Sequence, residues 1–327
     1  MMYPWQQNAN DIIQGAIEQS RLPHGLLITA KPGSGEKAWL QAAAKGVLCF
    51  EPSGIQACGN CKSCQLFQAG THPDFYWVAA AEDKKQIAIA QIRQLSQDLA
   101  ETSGVSKWRV AVIYHAETMT VAGFNALLKT LEEPGNNTLL MLYSPERNRL
   151  PATIVSRCQH LDIGQASIAL YSQWLQQQRP DSSDADRALA LLLTHQAPLA
   201  AQQLLGSPEW ETYLGLIDVF AKTTENQPLF WQLSDGLKSE PLAALNFWSV
   251  LCAELLRCQM TGCDTVPALQ KLIARLAESV NVQLLFKFRD EILFQLKQLR
   301  EGTTFNINMQ FDALAKQWIQ VFHQTQR

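Results

Sequence analysis

The chain has 327 residues, of which 47% are hydrophobic and 17% are charged. This composition excludes a disordered chain, and the length allows two or three folded domains. The net charge of −3 excludes a strongly basic surface, so any contact with nucleic acid has to be local. No apolar run reaches the roughly eighteen residues of a membrane span, and no secretion signal opens the sequence, which predicts a cytoplasmic protein.

Strand-like and helix-like segments alternate in the first half of the chain. Short apolar runs of strand length lie at residues 25–29, 74–79, 109–114 and 138–143. Helical patterns lie between them, at residues 36–48, 88–101 and 120–132. This alternation predicts an α/β fold with a parallel sheet and helices on both faces.

The strand signals stop near residue 165, and the remaining sequence has helical periodicity. Residues 184–205 predict two short helices separated at Pro198. Further on, apolar residues spaced by three and four form two stripes: Val282, Leu285, Phe288, Ile292, Leu296 and Leu299, and then Ile307, Phe311, Leu314, Trp318 and Val321. Such stripes need apolar partners, so the second half is predicted to be a helical bundle.

Four of the eight cysteines lie within sixteen residues of one another, with the spacing C-x8-C-x2-C-x2-C: Cys49, Cys58, Cys61 and Cys64. This spacing predicts a closed, structural zinc site with four thiolate ligands. The alternatives are reduced packed thiols, an iron–sulfur cluster, or His72 in place of Cys49 as the fourth ligand. The other four cysteines are scattered and are expected to pack singly as small apolar side chains: Cys158, Cys252, Cys258 and Cys263.

The segment 26–44 has the layout of a phosphate-binding loop, with a strand, a turn containing Gly33 and Gly35, and then a helix. In the pattern G-x-x-x-x-G-K-[ST], Glu36 stands at the lysine position and Lys37 at the hydroxyl position. Two like charges about 4 Å apart repel by ~4 kcal/mol at an effective dielectric near 20. The loop is therefore predicted to have lost nucleotide binding, unless Lys37 replaces the missing lysine.

A second part of a nucleotide site is also altered. The strand 109–113 is followed by Tyr114 and His115, where an ATPase would carry carboxylates for magnesium. Mg²⁺ prefers oxygen ligands, usually carboxylates, so neither side chain replaces them. Both changes predict a degenerate site.

Several segments resemble the bacterial DNA polymerase III clamp-loader subunits of the AAA+ class. They are residues 21–35, 121–158 and, within the latter, 125–134, together with the cysteine cluster inserted after the first helix of the loop. The loss of both nucleotide motifs is similar to the delta-prime branch of that family, because the gamma and tau branch keeps them. The resemblance is dense over residues 1–165 and fainter beyond, where residues 305–318 resemble the last collar helix.

The resemblance implies three domains. A RecA-like AAA+ domain would occupy residues 1–165, with the zinc module 49–64 inserted in it. A small helical lid would follow at 166–208, and a helical collar that closes a ring of subunits would occupy 209–327.

The resemblance also implies roles for individual residues. Arg157, in the Ser-Arg-Cys motif, would be presented across a subunit interface to ATP bound by a neighbour. The alternative is a structural arginine paired with an acidic neighbour. Ser144 would be a vestigial first sensor, and no arginine of a second sensor is recognised in the lid. The roles of Glu132 and Glu133 remain open.

The resemblance implies a non-hydrolysing, stator-like clamp-loader subunit within the DNA polymerase III holoenzyme. Its partners would be the gamma/tau and delta subunits, the sliding clamp and primed DNA, with direct DNA contacts conceivable at Lys84, Lys85, Lys107 or Arg109. One rival hypothesis is an active ATPase of the same fold that uses Lys37. The other is a zinc-stabilised DNA-binding protein that acts alone.

Overall fold

The computed structural model describes residues 3–19, 21–81, 84–101, 104–164, 166–223, 237–300 and 306–322. The chain divides into two compact units, Met1–Leu170 and Tyr171–Arg327. The division between the two units lies close to the boundary expected after residue 165, a residue that itself lies outside the described residues. The separation of a lid from a collar at residue 208 stays a prediction.

The first unit is built on a five-stranded sheet in which every strand pair is parallel. The strand order is β2-β3-β4-β1-β5. The bounds are β1 Gly25–Thr29, β2 Phe75–Val78, β3 Arg109–Ile113, β4 Thr138–Ser144 and β5 Gln159–Asp162. The four predicted strands are confirmed. The edge strand β5 escaped the sequence analysis because its first two residues are polar and exposed, so it lacks an apolar run.

Helices cover both faces of the sheet, as predicted. In β1, Leu26 and Ile28 join one apolar core with the first two helices, whereas Leu27 joins a second core on the opposite face. Side chains alternate between the faces of a strand, which explains why a fully apolar strand contributes to two cores. The helices are α1 Gln7–Glu18, α2 Glu36–Leu48, α3 Lys62–Gln68, α4 Ile89–Ala100, α5 Val121–Glu132 and α6 Ala152–Val155.

The described part of the second unit is helical. The helices from the division onward are α7 Ile168–Gln178, α8 Asp184–Leu193, α9 Pro198–Leu205, α10 Glu209–Thr223, α11 Pro241–Thr261, α12 Pro267–Ala277, α13 Val282–Arg300 and α14 Ile307–Phe322. The break at Pro198 is confirmed, because this residue begins α9. Helix α11 is long and apolar enough to cross a membrane, but 72% of that stretch is buried inside the protein, as in a core helix.

The apolar stripes of α13 and α14 meet α11 in an aromatic cluster. The Trp248 ring centroid lies 5.2 Å from that of Phe288 and 5.8 Å from that of Trp318. In α13 the central stripe residues are buried, while Val282 and Leu299 at its ends are half-buried. In α14 the four stripe residues from Phe311 to Val321 are buried, and the side chain of Ile307 lies outside the described residues. The predicted bundle is confirmed.

One expectation about the scattered cysteines is wrong. Cys258 and Cys263 are joined in a disulfide, and Cys263 is exposed, so this pair does not pack as single apolar side chains. Cys252 is fully buried and Cys158 is half-buried, as expected. Burial raises the pKa of the Cys158 thiol to about 11, which keeps this thiol neutral.

Gly46 is predicted to be required in α2, because a Cβ at this position would lie 2.0 Å from the carbonyl oxygen of Ile55. Gly46→Ala should lower the free energy of unfolding by about 1–3 kcal/mol, as overpacking does. Gly15→Ala in α1 is the matched control, since nothing lies within 4 Å of its added Cβ; it should stabilise by about 0.5–1 kcal/mol. Urea denaturation of the two variants checks both signs, and equal midpoints would contradict the close contact.

Candidate functional site

The chain between β1 and α2 follows the path of a phosphate-binding loop. Gly33 and Gly35 have φ angles of 84° and 80°. These left-handed conformations are open to glycine at little cost and explain both glycines of the pattern. The loop places its backbone at the start of α2, where unpaired N–H groups and the helix dipole favour an anion.

The anion at this position is the protein's own Glu36 carboxylate. Glu36 is buried, its Oε2 atom accepts the Ser34 backbone N–H at 3.2 Å, and its Oε1 atom accepts the Tyr114 hydroxyl at 3.3 Å. A buried carboxylate needs such donors because it has lost its hydration. The loop therefore binds a side chain of its own helix at a place suited to a phosphate.

The N-terminal segment covers the same loop. The Trp5 indole N–H donates to the Ser34 carbonyl at 2.8 Å, and the Gln6 amide donates to the carbonyls of Ser34 and Gly35 at 3.2 and 3.3 Å. A Cβ on Gly35 would lie 2.4 Å from the ring of Tyr3, which itself stacks on Trp5. Sequence reasoning missed this cover, because nothing in the local pattern of residues 3–6 indicates a partner thirty residues away.

Aromatic rings fill the position of the second nucleotide motif. Tyr114 lies between Trp77 and Tyr143, with ring centroid distances of 5.3 and 5.0 Å. Burial, together with the negative charge of Glu36, raises the pKa of Tyr114 to about 12, so its hydroxyl stays a neutral donor. His115 Nδ1 lies 2.9 Å from the Glu117 carboxylate. Neither Tyr114 nor His115 offers the anionic oxygen that Mg²⁺ prefers.

Two further residues of the predicted nucleotide site point to other partners. The Lys37 ammonium lies over the ring of Trp77, 6.0 Å from the centroid, and the residue is exposed. Ser144 is fully buried and its hydroxyl donates to the Glu146 carbonyl at 2.9 Å. Its hydroxyl is therefore committed to the turn that follows β4.

The four clustered cysteines are brought together as predicted. Their sulfur atoms all lie within 4.8 Å of one another. The distance from Cys49 to Cys61 is 3.9 Å, and that from Cys58 to Cys64 is 4.0 Å. Four thiolates around a zinc ion with Zn–S bonds of about 2.3 Å would be about 3.8 Å apart. The arrangement could thus hold a metal ion in tetrahedral geometry.

Local folding turns these sulfurs inward. Cys49 directly follows α2, and Cys61 caps the start of α3 by accepting the Cys64 backbone N–H. Backbone N–H groups also point at the other sulfurs, from Cys58 to Cys49 at 3.2 Å and from Cys61 to Cys58 at 3.4 Å. Such N–H groups stabilise thiolates, the form that binds metal.

The thiol pKa values differ across the cluster. Burial pushes the pKa of Cys61 upward, but hydrogen bonds from backbone N–H groups of Phe50 and Cys64 outweigh it and lower the value to about 6. The pKa of Cys58 is lowered, chiefly by the Cys61 backbone N–H. Burial raises the pKa of Cys49, and that of Cys64 to about 12. A bound cation is what would hold all four as thiolates at neutral pH.

His72 is not part of this cluster, so the alternative that exchanged it for Cys49 is wrong. Its Nε2 atom lies 3.0 Å from the Ser63 hydroxyl and 3.1 Å from the Ser106 hydroxyl, and Nδ1 accepts the Asp74 backbone N–H. Burial lowers the pKa of His72, which favours this neutral ring. The Asp74 carboxylate in turn accepts three backbone N–H groups of residues 104–106. The sequence analysis did not identify this buried network.

Arg157 forms an ion pair on the protein surface. Its Nη2 atom lies 2.6 Å from Oε1 of Glu132, and its Nη1 atom donates to the Thr153 carbonyl at 2.9 Å. Glu132 ends α5, and Arg157 follows α6. The open question about Glu132 thus receives a structural answer, whereas neighbouring Glu133 is exposed and lines a depression between α4 and α5.

Arg157 and the loop lie at opposite ends of the strands. The loop follows the carboxyl end of β1, while Arg157 precedes the amino end of β5, and these neighbouring strands are parallel. The backbone of Arg157 packs beside the first residue of β1, because a Cβ on Gly25 would lie 3.3 Å from the Arg157 carbonyl oxygen. Five strand residues span about 16 Å. The arginine is therefore well separated from the loop of its own chain.

The suggestion that Arg109 contacts DNA is wrong. Arg109 is buried, and its guanidinium donates to the carbonyls of Glu101 and Asn136 and to the Thr138 hydroxyl. Arg109 thus ties the first residue of β3 to the segments before β3 and before β4. The lysines considered with it, Lys84, Lys85 and Lys107, are exposed, and a role for them in DNA binding stays a prediction.

Comparisons with known proteins agree on one family. The family model described as "DNA polymerase III, delta subunit" matches residues 5–167. The DNA polymerase III subunit delta' of Pseudomonas aeruginosa is 31% identical over 323 residues, which are 97% of each chain. The gamma/tau subunit of Mycoplasma pneumoniae is 31% identical over 170 residues, which are 52% of this chain and 24% of that one.

A solved structure of a gamma subunit-related protein of DNA polymerase III from Thermotoga maritima aligns with 94% of this chain and 98% of its own. The TM-score is 0.44 and the identity 15%. It is the similarity to the delta' subunits along nearly the whole sequence that decides the assignment. The chain belongs to the family of DNA polymerase III delta' subunits, which is related to the gamma/tau subunits.

Proposed function

We propose that this protein is a non-hydrolysing, stator-like subunit of a cytoplasmic replicative clamp loader. It helps to load the sliding clamp on primed DNA and supplies Arg157 to the ATP site of a neighbouring subunit. The observation that carries the non-hydrolysing role is the Glu36 carboxylate, which is buried in the phosphate-binding loop and accepts the Ser34 N–H.

Three obstacles oppose ATP binding at the protein's own loop. A triphosphate would have to displace the Glu36 carboxylate from its donors, against a repulsion of ~4 kcal/mol at about 4 Å. It would also meet Trp5 and Gln6, which occupy the carbonyls of the loop. Finally, the aromatic side chain of Tyr114 stands where a magnesium ligand would be needed, so the charge of the phosphates would stay uncompensated.

Arg157 is suited to act on a nucleotide that another subunit binds. Its partly exposed side chain lies at the end of the strands that is away from its own loop. A phosphate within its reach would therefore be one that another chain binds. A guanidinium supplied in trans stabilises the charge that develops on a transferred phosphoryl group. Its planar fork of donors matches phosphate oxygens better than an ammonium does.

The family relationship supports the proposed partners. Gamma/tau subunits are related proteins and would bind the ATP that Arg157 contacts. The helices of the predicted collar, residues 209–327, would join this subunit to gamma/tau and delta. Exposed apolar residues of α13 such as Phe286 and Phe294 suit such an interface. The clamp and primed DNA would be contacted within the assembled complex.

The four-cysteine cluster is proposed to hold zinc as a structural ion. Four thiolates close a tetrahedral site and leave no position for water or substrate, so the ion would stabilise the fold and not take part in a reaction. Cys49, Cys58, Cys61 and Cys64 would be the ligands, tying the end of α2 to the start of α3.

The isolated protein is predicted not to bind ATP. Equilibrium titration with labelled nucleotide should show no saturation at micromolar concentration, with a gamma/tau subunit as the positive control. Lys37→Ala should leave this titration unchanged, because the Lys37 ammonium lies over Trp77. Saturable binding by the wild type that Lys37→Ala removes would instead support the active-ATPase hypothesis.

Arg157→Ala is predicted to leave the complex assembled and to lower ATP turnover at the adjoining site. Arginines supplied in this way contribute about 10³-fold or more to the rate, so the share of turnover carried by that site should be lost. Arg147→Ala is the matched control, since Arg147 is an exposed arginine of the same segment. Steady-state ATP hydrolysis by the reconstituted complex measures the effect, and full activity of Arg157→Ala would disprove the role.

The double variant Cys61→Ser/Cys64→Ser is predicted to lose one equivalent of zinc per chain. Without the ion, the segment 49–72 should become more susceptible to proteolysis, because metal binding contributes to the folding free energy of such modules. Cys252→Ala serves as the control, since this buried cysteine lies outside the cluster. Elemental analysis of the purified proteins gives the answer, and an unchanged zinc content in the double variant would refute the site.

A further inference from the structure

We infer that Glu132 is a positioning residue for Arg157. Its carboxylate holds the guanidinium in one orientation at the edge of the sheet, from which the guanidinium reaches the phosphates bound by the neighbouring subunit. This inference rests on the proposed role of Arg157 and adds the residue that prepares the arginine for it.

The contacts of Arg157 fix the guanidinium without occupying it. One Nη atom donates to the Thr153 carbonyl at 2.9 Å and the other to Glu132 Oε1 at 2.6 Å. These contacts use two of the five N–H donors of a guanidinium. Three donors therefore remain for a phosphate, and the side chain is 36% exposed.

Within the described residues, Glu132 is the contact that ties the guanidinium to the body of the domain. Thr153 lies four residues before Arg157, so that contact turns the side chain back on its own short segment. Glu132 lies 25 residues away, at the end of α5, next to the buried Leu131. The packed helix therefore fixes the backbone from which this carboxylate extends. Because arginine has many rotamers, a partner carried by a packed helix reduces the freedom that is lost when a phosphate binds.

The pair is also weak enough to admit a phosphate. Glu132 is 52% exposed, so water and salt screen its attraction for Arg157. A single carboxylate oxygen contacts a single nitrogen, so the ion pair uses one N–H group of the guanidinium and leaves others for phosphate oxygens. A polyphosphate carries more negative charge than one carboxylate, so it attracts the arginine more strongly than Glu132 does.

Glu133 provides a matched comparison within the same turn. It has the same charge and is exposed, but it lines the depression between α4 and α5 with Ser96 and Lys129. Removing its charge changes the net charge of the region as much as removing that of Glu132. Any difference between the two variants therefore reports the contact with Arg157.

The test compares five forms of the protein in the reconstituted complex with gamma/tau and delta subunits: wild type, Glu132→Gln, Glu133→Gln, Arg157→Ala, and Glu132→Gln combined with Arg157→Ala. Glu132→Gln should lower the kcat of the Arg157-dependent ATP turnover about two- to fivefold, the range of an exposed ion pair, with KM unchanged. Glu133→Gln should match the wild type. The double variant should match Arg157→Ala, since the two residues act through one contact.

Salt and a shorter acid provide independent readouts. The difference between wild type and Glu132→Gln should shrink as NaCl is raised, because an exposed pair is screened. Glu132→Asp keeps the charge but withdraws the carboxylate by one methylene, so its kcat should lie between those of wild type and Glu132→Gln.

The outcomes separate this inference from the proposed function. Full turnover in Arg157→Ala would remove the proposed role of the arginine and this inference with it. Reduced turnover in Arg157→Ala with wild-type turnover in Glu132→Gln would overturn the inference alone. Increased turnover in Glu132→Gln, or an equal loss when Arg157 is already absent, would also overturn it, since the carboxylate would then compete or act elsewhere.

Discussion

A buried carboxylate governs the chemistry of this domain. Glu36 stands at the start of α2, where the loop and the helix dipole favour an anion, and it takes donors from Ser34 and Tyr114. Once this anion is built into the chain, a phosphate gains little from the same donors. The rings of Trp77, Tyr114 and Tyr143 lie where an ATPase would carry magnesium ligands, which agrees with the proposal that no triphosphate binds here. The last part of the loop, from Ser34 to Glu36, is buried.

Because the strands are parallel, the loop after β1 and Arg157 before β5 lie at opposite ends of the strands. Loops at the carboxyl ends of such strands usually carry the ligand-binding site. Here these loops are covered by Glu36, Tyr114 and the N-terminal segment. Arg157 lies at the amino ends of the strands, where its partly exposed side chain contacts Glu132 and the Thr153 carbonyl. In the proposed function, such a subunit would take part in phosphoryl transfer through an interface with a neighbour.

Local patterns predicted much of this fold, and long-range contacts account for what was missed. The apolar runs gave four strands and the alternation gave the layers, but β5 is a polar edge strand without a periodic signal. Cysteine spacing predicted the four-cysteine cluster because its members are close in sequence. The cover by Trp5, the network of His72 and the burial of Arg109 depend on partners about thirty residues away, and no residue pattern encodes these. An acidic partner for Arg157 is one of the alternatives that the sequence offers, but the sequence does not identify Glu132 as that partner.

Helix α2 connects the two features that identify the domain. It begins with Glu36 in the closed loop and ends at Leu48, directly before the first cysteine of the metal cluster. Thirteen helical residues span about 20 Å, so the loop and the cluster lie at the two ends of one rigid element. At the far end, Gly46 permits the Ile55 carbonyl to approach closely, and the Leu48 carbonyl accepts the hydroxyls of two buried serines. If the cluster holds the proposed zinc ion, that ion would restrain the last turn of the same helix whose first residue, Glu36, occupies the loop.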